Sequence, residues 1–333
     1  MSAIASAAPL VHGLIVGPIV WGVLRFLTGF CLAALYIVIE SWLNERSTNA
    51  NRGMIFATYS MITLTMMAAG QMMTLLYNPL GLQLFVITSV LFSIGAVPIA
   101  LSSALSPAQP ASTETNIRDL FSLSPSGTVG CFAVGMANGA FWGLAPVYAS
   151  AVGDPVKMAA WFMAAAVIGG AILQWPLGLL SDALGRRKML VAVCILGAGA
   201  GVALAMLVPH LGFTGIVLLG GVWGAFAFPM YSIVVAYTND YAEHDEYVKV
   251  SAGLLLVYGF GAIIGPFAAS ALITLRGADS LFLFTAAVHL LLIGFVTYRF
   301  IKEGTQADQP IAFGDALSSA QTASLVYEEE MQD

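Results

Sequence analysis

Four landmarks in this chain recur at one fixed offset. Gly29, Tyr36, Asn44 and Gly70 reappear as Gly224, Tyr231, Asn239 and Gly265, each 195 residues later. The acidic residue after the asparagine recurs as well, as Glu45 and Asp240. Between these landmarks both copies are apolar and too long for ordinary globular helices. A repeated block of spanning helices is the pattern of a secondary transporter, in which two related halves enclose a site.

Composition supports the membrane setting. Of the 333 residues, 59% are hydrophobic and only 9% are charged, against roughly 25% charged in soluble domains. The formal net charge of −6 sits mainly in the tail and one loop. No basic patch exists for nucleic acid. Cys31, Cys131 and Cys194 all fall in apolar segments and fit neither a disulfide framework nor a metal site, so they read as packing residues. The first basic residue is Arg25, so a cleaved signal peptide is not expected.

A spanning helix needs about 20 mainly apolar residues. Ten such segments are expected: 2–17, 18–43, 53–77, 83–102, 127–151, 156–181, 189–209, 212–238, 248–275 and 279–300. Gly17-Pro18, Asn78-Pro79, Asp154-Pro155 and Pro209-His210 punctuate the short turns. The expected organisation is a half at 1–102, a polar connector at 103–126, a second half at 127–303 and a disordered acidic tail at 304–333. Alternate loops hold nine basic residues on one side (Arg46, Arg52, Arg118, Arg186, Arg187, Lys188, Lys249, Arg299 and Lys302), against Lys157 and Arg276 on the other. The basic side is the expected cytoplasmic side, and the C-terminus lies there. The offset places the counterpart of the second half's start about 68 residues before Met1. The expectation is an N-terminally truncated six-plus-six bundle without its first two helices.

Two motifs sharpen the reading. In Gly178-Leu-Leu-Ser-Asp182-Ala-Leu-Gly185-Arg186-Arg187-Lys188, Gly178 lets helices approach and Asp182 ends one helix where an arginine cluster starts the next. Such a latch can hold helices together in one state and release them in another. The alternative is a plain positive-inside loop. This stretch resembles the loop signature of the major facilitator superfamily, Gly-x-x-x-Asp-(Arg)-x-Gly-Arg-Arg, departing from it at Ala183. Arg25-Phe-Leu-Thr-Gly29-Phe-Cys-Leu-Ala33 is similar to that family's fourth-helix Arg-x-x-x-Gly-x-x-x-Gly/Ala motif, which the family links to proton coupling. The resemblance runs from the family's third helix to its twelfth. It implies an all-α membrane fold and secondary transport of a small solute by alternating access, proton-coupled, in a bacterial inner membrane.

Arg25, Gly29, Tyr36 and Glu40 fall on nearly one helical face, with Arg25 and Glu40 about 22 Å apart along the axis. An isolated intramembrane charge is costly, so these groups read as a charged cavity wall. The alternative is structural pairing of Arg25 and snorkelling of Glu40. Position 235, the counterpart of Glu40, is a valine. Asn138 and Trp142 lie four apart on another helix, near Gly135, Gly139 and Gly143. In the resembled family the first, fourth, seventh and tenth helices line the cavity. Carried over, its lining is Arg25, Tyr36, Glu40, Asn138, Trp142 and Tyr231, and the gating loop is Gly178, Asp182, Gly185, Arg186 and Arg187. Each aromatic has the alternative of filling a helix interface.

Gly261-Ala-Ile-Ile-Gly265-Pro266 resembles the Gly-x-x-x-Gly-Pro signature of drug antiporters, but its first-half equivalent, Gly70-Gln71, has no proline. A packing kink is the favoured meaning. Gln71, Gln174 and His289 read as interhelical hydrogen-bond partners. No His-Glu-x-x-His, phosphate-binding glycine loop or Gly-x-Ser-x-Gly motif is present. No enzyme activity, cofactor or metal is expected, and an ion gradient rather than ATP is the expected energy source. The expected partners are a small-molecule substrate, protons and the lipid bilayer. The rival reading is a truncated membrane protein that does not transport.

Overall fold

The computed structural model describes residues 2–46, 52–101, 117–242 and 247–303. Among them there is helix and no strand. The helices are α1 (Ser2–Leu14), α2 (Pro18–Arg46), α3 (Arg52–Met73), α4 (Gln83–Leu101), α5 (Ile117–Leu123), α6 (Pro125–Val152), α7 (Pro155–Leu184), α8 (Arg186–Met206), α9 (Phe213–Ala227), α10 (Met230–Asn239), α11 (Tyr247–Arg276) and α12 (Ser280–Glu303). Seven spans among the described residues are long and apolar enough to cross a bilayer, and two shorter apolar helices accompany them.

Each of the ten expected segments is helical, with two refinements. The segment at 212–238 is interrupted, because Pro229 has no N–H to give the preceding turn and α9 stops at Ala227. The connector carries the short helix α5, whose Leu120 is buried in the core. Residues 103–116 of the connector and the tail lie outside the described residues.

Local chemistry sets the helix ends. Pro125 and Pro155 occupy first-turn positions, where a missing N–H costs nothing. Ser124 Oγ accepts from the Gly127 N–H at 3.2 Å, and Asp154 Oδ1 from those of Val156 and Lys157 at 3.1 and 2.8 Å. Gly185 joins α7 to α8 with φ of 91°, a conformation that side-chain-bearing residues rarely adopt.

The 195-residue offset is visible in the helix starts. Pro18 opens α2 and Phe213 opens α9; Arg52 opens α3 and Tyr247 opens α11. Pairing repeats as well: α1 packs on α4 as α8 packs on α12. The tightest pairs of the second copy are α6 with α11 and α7 with α9. Both rest on glycines that leave no room for a side chain. A Cβ on Gly265 would strike the Met136 carbonyl, one on Gly261 the Phe132 carbonyl, and one on Gly224 the Ala166 carbonyl. In hydrocarbon, where burial of apolar surface no longer drives association, such backbone approach holds helices together.

The same landmarks behave differently in the first copy. Gly29 and Gly70, counterparts of Gly224 and Gly265, have nothing within 4 Å of a built Cβ. Only 6% of the α2 span is buried, against 56% of the α9–α10 span. The first copy meets the second where α3 packs on α7, with Ala68 against Ala164 and Val167.

These contacts generate a contrast. Gly224→Val forces α9 off the Ala166 backbone and is expected to lower the detergent unfolding temperature sharply. Gly199→Ala, where nothing lies within 4 Å, is expected to change stability by no more than about 1 kcal/mol. Thermal unfolding of the two variants checks both.

Candidate functional site

The first constellation is the loop between α7 and α8. Gly178 is buried on α7. The α7 helix ends beside Gly185, whose N–H donates to the Ser181 carbonyl at 3.2 Å. The next residue, Arg186, is 4% exposed. Its Nη1 pairs with Asp182 Oδ1 at 2.9 Å, and its Nε donates to Asp240 Oδ2 at 2.9 Å. One guanidinium therefore ties the end of α7, the start of α8 and the end of α10. A buried cation of this kind is tolerated because carboxylates compensate it directly.

Arg187 lies over the Phe300 ring at 5.0 Å and the Tyr237 ring at 5.9 Å, a cation–π cradle. Tyr241 donates to the Tyr237 hydroxyl at 3.2 Å. Burial, followed by that bond, pushes the Tyr241 phenol up from its ordinary value. Beneath them, Asn239 Nδ2 donates to Ser251 Oγ at 3.2 Å, and both residues are fully buried. The gating-loop residues thus meet in one place. The sequence motif left out Asp240, although the repeat had marked it as the acidic residue recurring from Glu45.

The second constellation lies around the Pro229 break. Asn138, 4% exposed on α6, has its side chain beside the Tyr258 hydroxyl of α11, and its Oδ1 has no partner. Tyr231 of α10 packs edge-on against Tyr258 with centroids 5.0 Å apart. Trp142, one turn beyond Asn138, is partly exposed and stacks on Phe228 at 5.5 Å and 15°. Phe228 stands at the break itself, and it also packs against the α3–α7 contact. Discontinuous spanning helices form substrate sites in many secondary transporters.

Three of the six expected cavity residues, Asn138, Trp142 and Tyr231, therefore share one neighbourhood through Tyr258 and Phe228. Arg25 and Tyr36 do not join it: both are exposed on α2, which packs on α1 and touches α3. The Glu40 side chain lies outside the described residues. Tyr258 and Phe228 were missed by sequence reasoning. Tyr258 sits three residues before the Gly261–Gly265 face and has no repeat counterpart, since position 63 is threonine. The signal for Phe228 was the adjacent proline. The glycines beside these residues are packing positions: α11 presses Gly261 and Gly265 onto α6, and Gly135 meets the Tyr258 carbonyl in return.

Residues 127–326 match the Major Facilitator Superfamily. The chain belongs to that family. Over 316 residues it is 28% identical to an uncharacterized MFS-type transporter, YcaD, of Escherichia fergusonii, covering 93% of this chain and 79% of the relative. The YcaD protein of Salmonella paratyphi B is 27% identical over 305 residues, 90% of this chain and 76% of that one. Among solved structures, the Escherichia coli fucose:proton symporter FucP superposes with a TM-score of 0.55 over 90% of this chain and 81% of its own, at 14% identity. A second FucP structure, in the outward conformation, gives 0.54. The fold is the superfamily fold, and the chain is a multi-pass membrane protein of a transporter family, not of an enzyme family.

The two carboxylates on Arg186 are expected to be unequal. Asp240 is 6% exposed and Asp182 31%. Asp240→Ala leaves a buried charge half-compensated and is expected to cost about 3–5 kcal/mol, whereas Asp182→Ala is expected to cost about 1 kcal/mol or less. Unfolding in detergent measures both.

Proposed function

We propose that this protein is a secondary active transporter that moves a small solute by alternating access, driven by protons. The observation that carries the reading is the meeting of Asn138, Trp142, Tyr231 and Tyr258 at the broken α9–α10 span of a superfamily transporter. None of these four side chains is charged at neutral pH. They offer an amide oxygen, phenol hydroxyls and a ring face, which suits a neutral or weakly polar solute. Charge enters from the other wall, where α2 carries Arg25, Tyr36 and Glu40. Arg25 and Glu40 are the groups proposed to handle the proton. The FucP likeness, a fucose:proton symporter by name, agrees with proton coupling of a neutral solute.

The proposed organisation is one half at 1–102 and the other at 127–303, joined by the connector and followed by the 304–333 tail. By the repeat, the open faces at Gly29 and Gly70 correspond to the faces that α7 and α6 cover at Gly224 and Gly265. The Arg186 latch then belongs to the cytoplasmic end of the second half, and its bond to Asp240 passes movement of the α7–α8 turn to α10. The bilayer is the bacterial inner membrane, with the C-terminus in the cytoplasm; the basic loops named above support that orientation.

The test is proton flux. In proteoliposomes of the native protein, a solute identified by thermal-shift screening is expected to drive proton movement. Glu40→Gln is expected to cut that movement at least tenfold with membrane insertion intact. Asn138→Ala is expected to raise the apparent KM while proton coupling persists, because it removes a solute contact. Undiminished proton flux in Glu40→Gln contradicts the assignment.

A further inference from the structure

A second group of side chains, away from the solute site, sits between α8, α10 and α12. Cys194 Sγ points at Met230 Sδ, 3.7 Å away, and both side chains are fully buried. One turn along α8, Gly197 presents no side chain. The space a Cβ would take there is reached by Met230 Cε at 2.9 Å and by His289 Nδ1 at 3.3 Å. His289 is 1% exposed, and its Nδ1 has no hydrogen-bond partner. Cys194 and His289 each lie near the middle of their helices. Thiol, thioether and an unpartnered imidazole nitrogen thus converge in an apolar interior, where an unsatisfied polar nitrogen is unfavourable.

We infer that Cys194, Met230 and His289 form a binding site for a soft monovalent metal ion of the Cu(I) or Ag(I) class. The donor set is the first argument, because thiolate and thioether ligands select soft ions and imidazole completes the set. Spacing is the second. Metal–sulfur bonds of about 2.3 Å bridge two sulfurs 3.7 Å apart in a bent arrangement, and the imidazole nitrogen reaches the same space at Gly197 as the Met230 methyl. Charge is the third. On binding, the metal–sulfur bond forms as the Cys194 S–H bond breaks, and the proton leaves to water. Neither metal nor sulfur changes oxidation state. Thiolate and monovalent ion sum to zero, so the low dielectric holds no net charge. A divalent ion would leave one positive charge buried without compensation.

Gly197 has a defined part in this account. A Cβ there would press on both Met230 Cε and His289 Nδ1, so its absence lets the two side chains approach α8 together.

The experiment uses the full chain, purified anaerobically in detergent, with Cys31→Ser and Cys131→Ser so that Cys194 is the sole thiol. Ag(I) is titrated directly, and Cu(I) against a chromophoric chelator. One ion per chain is expected. Binding is expected to be at least tenfold weaker in Met230→Leu and in His289→Gln, and lost in Cys194→Ser. Copper-edge absorption of the loaded parent is expected to show two sulfur neighbours and one nitrogen. That spectrum keeps the test decisive if a variant fails to fold. The inference is overturned if the parent retains no ion against the chelator, or if Met230→Leu and His289→Gln bind as tightly as the parent. A spectrum without paired sulfurs overturns it too.

Discussion

Everything else in this structure hangs on helices that touch backbone to backbone. A spanning helix gains nothing from hiding apolar surface, since the lipid around it is equally apolar. What remains is dispersion, which falls off steeply with distance. Glycines at Gly135, Gly139, Gly261 and Gly265 bring α6 and α11 together, and Gly169, Gly221 and Gly224 do so for α7 and α9. The positions of Asn138 and Tyr258 follow from the first pair. The position of Phe228, whose ring lies against Gly170, follows from the second.

On that frame the polar groups are placed sparingly. At the turn between α7 and α8, Arg186 is buried but paired twice. In the middle, the Pro229 break gathers aromatic rings and one amide into a site that touches both the second-half core and the α3–α7 contact. Phe228 thus joins Trp142 to the seam with the first copy. Rocking two packed bodies about such a seam needs no new chemistry, only two alternative packings of the same faces.

Much of this was legible in the sequence, for physical reasons. The repeat was visible because glycine, tyrosine and asparagine landmarks recur at one register, and the helix starts at 18 and 213 and at 52 and 247 keep that register. Asn138 and Trp142 were legible because four-residue spacing puts them on one face. The site's other members were not. Tyr258 looks like any aromatic in an apolar run, and only its contact with Asn138 distinguishes it. Asp240 was marked by the repeat, but its role depends on Arg186, 54 residues earlier in the chain. The interruption after Ala227 was hidden because spanning helices often tolerate proline, and position 34 in the first copy is an alanine within unbroken helix. Cys194 reads as a packing residue and His289 as an interhelical hydrogen-bond partner, since nothing in their spacing reveals that three helices bring them to Met230.

The central claim is that the two copies are packed alike in the working protein, so that Gly70 faces a helix as Gly265 does. The direct test substitutes leucine at each position in the chromosomal gene and measures the folded protein recovered from the native membrane. The account predicts that Gly70→Leu reduces recovery about as severely as Gly265→Leu, because both would meet a helix backbone. If Gly265→Leu is destructive and Gly70→Leu is neutral, the face at Gly70 is open to lipid and the account is wrong.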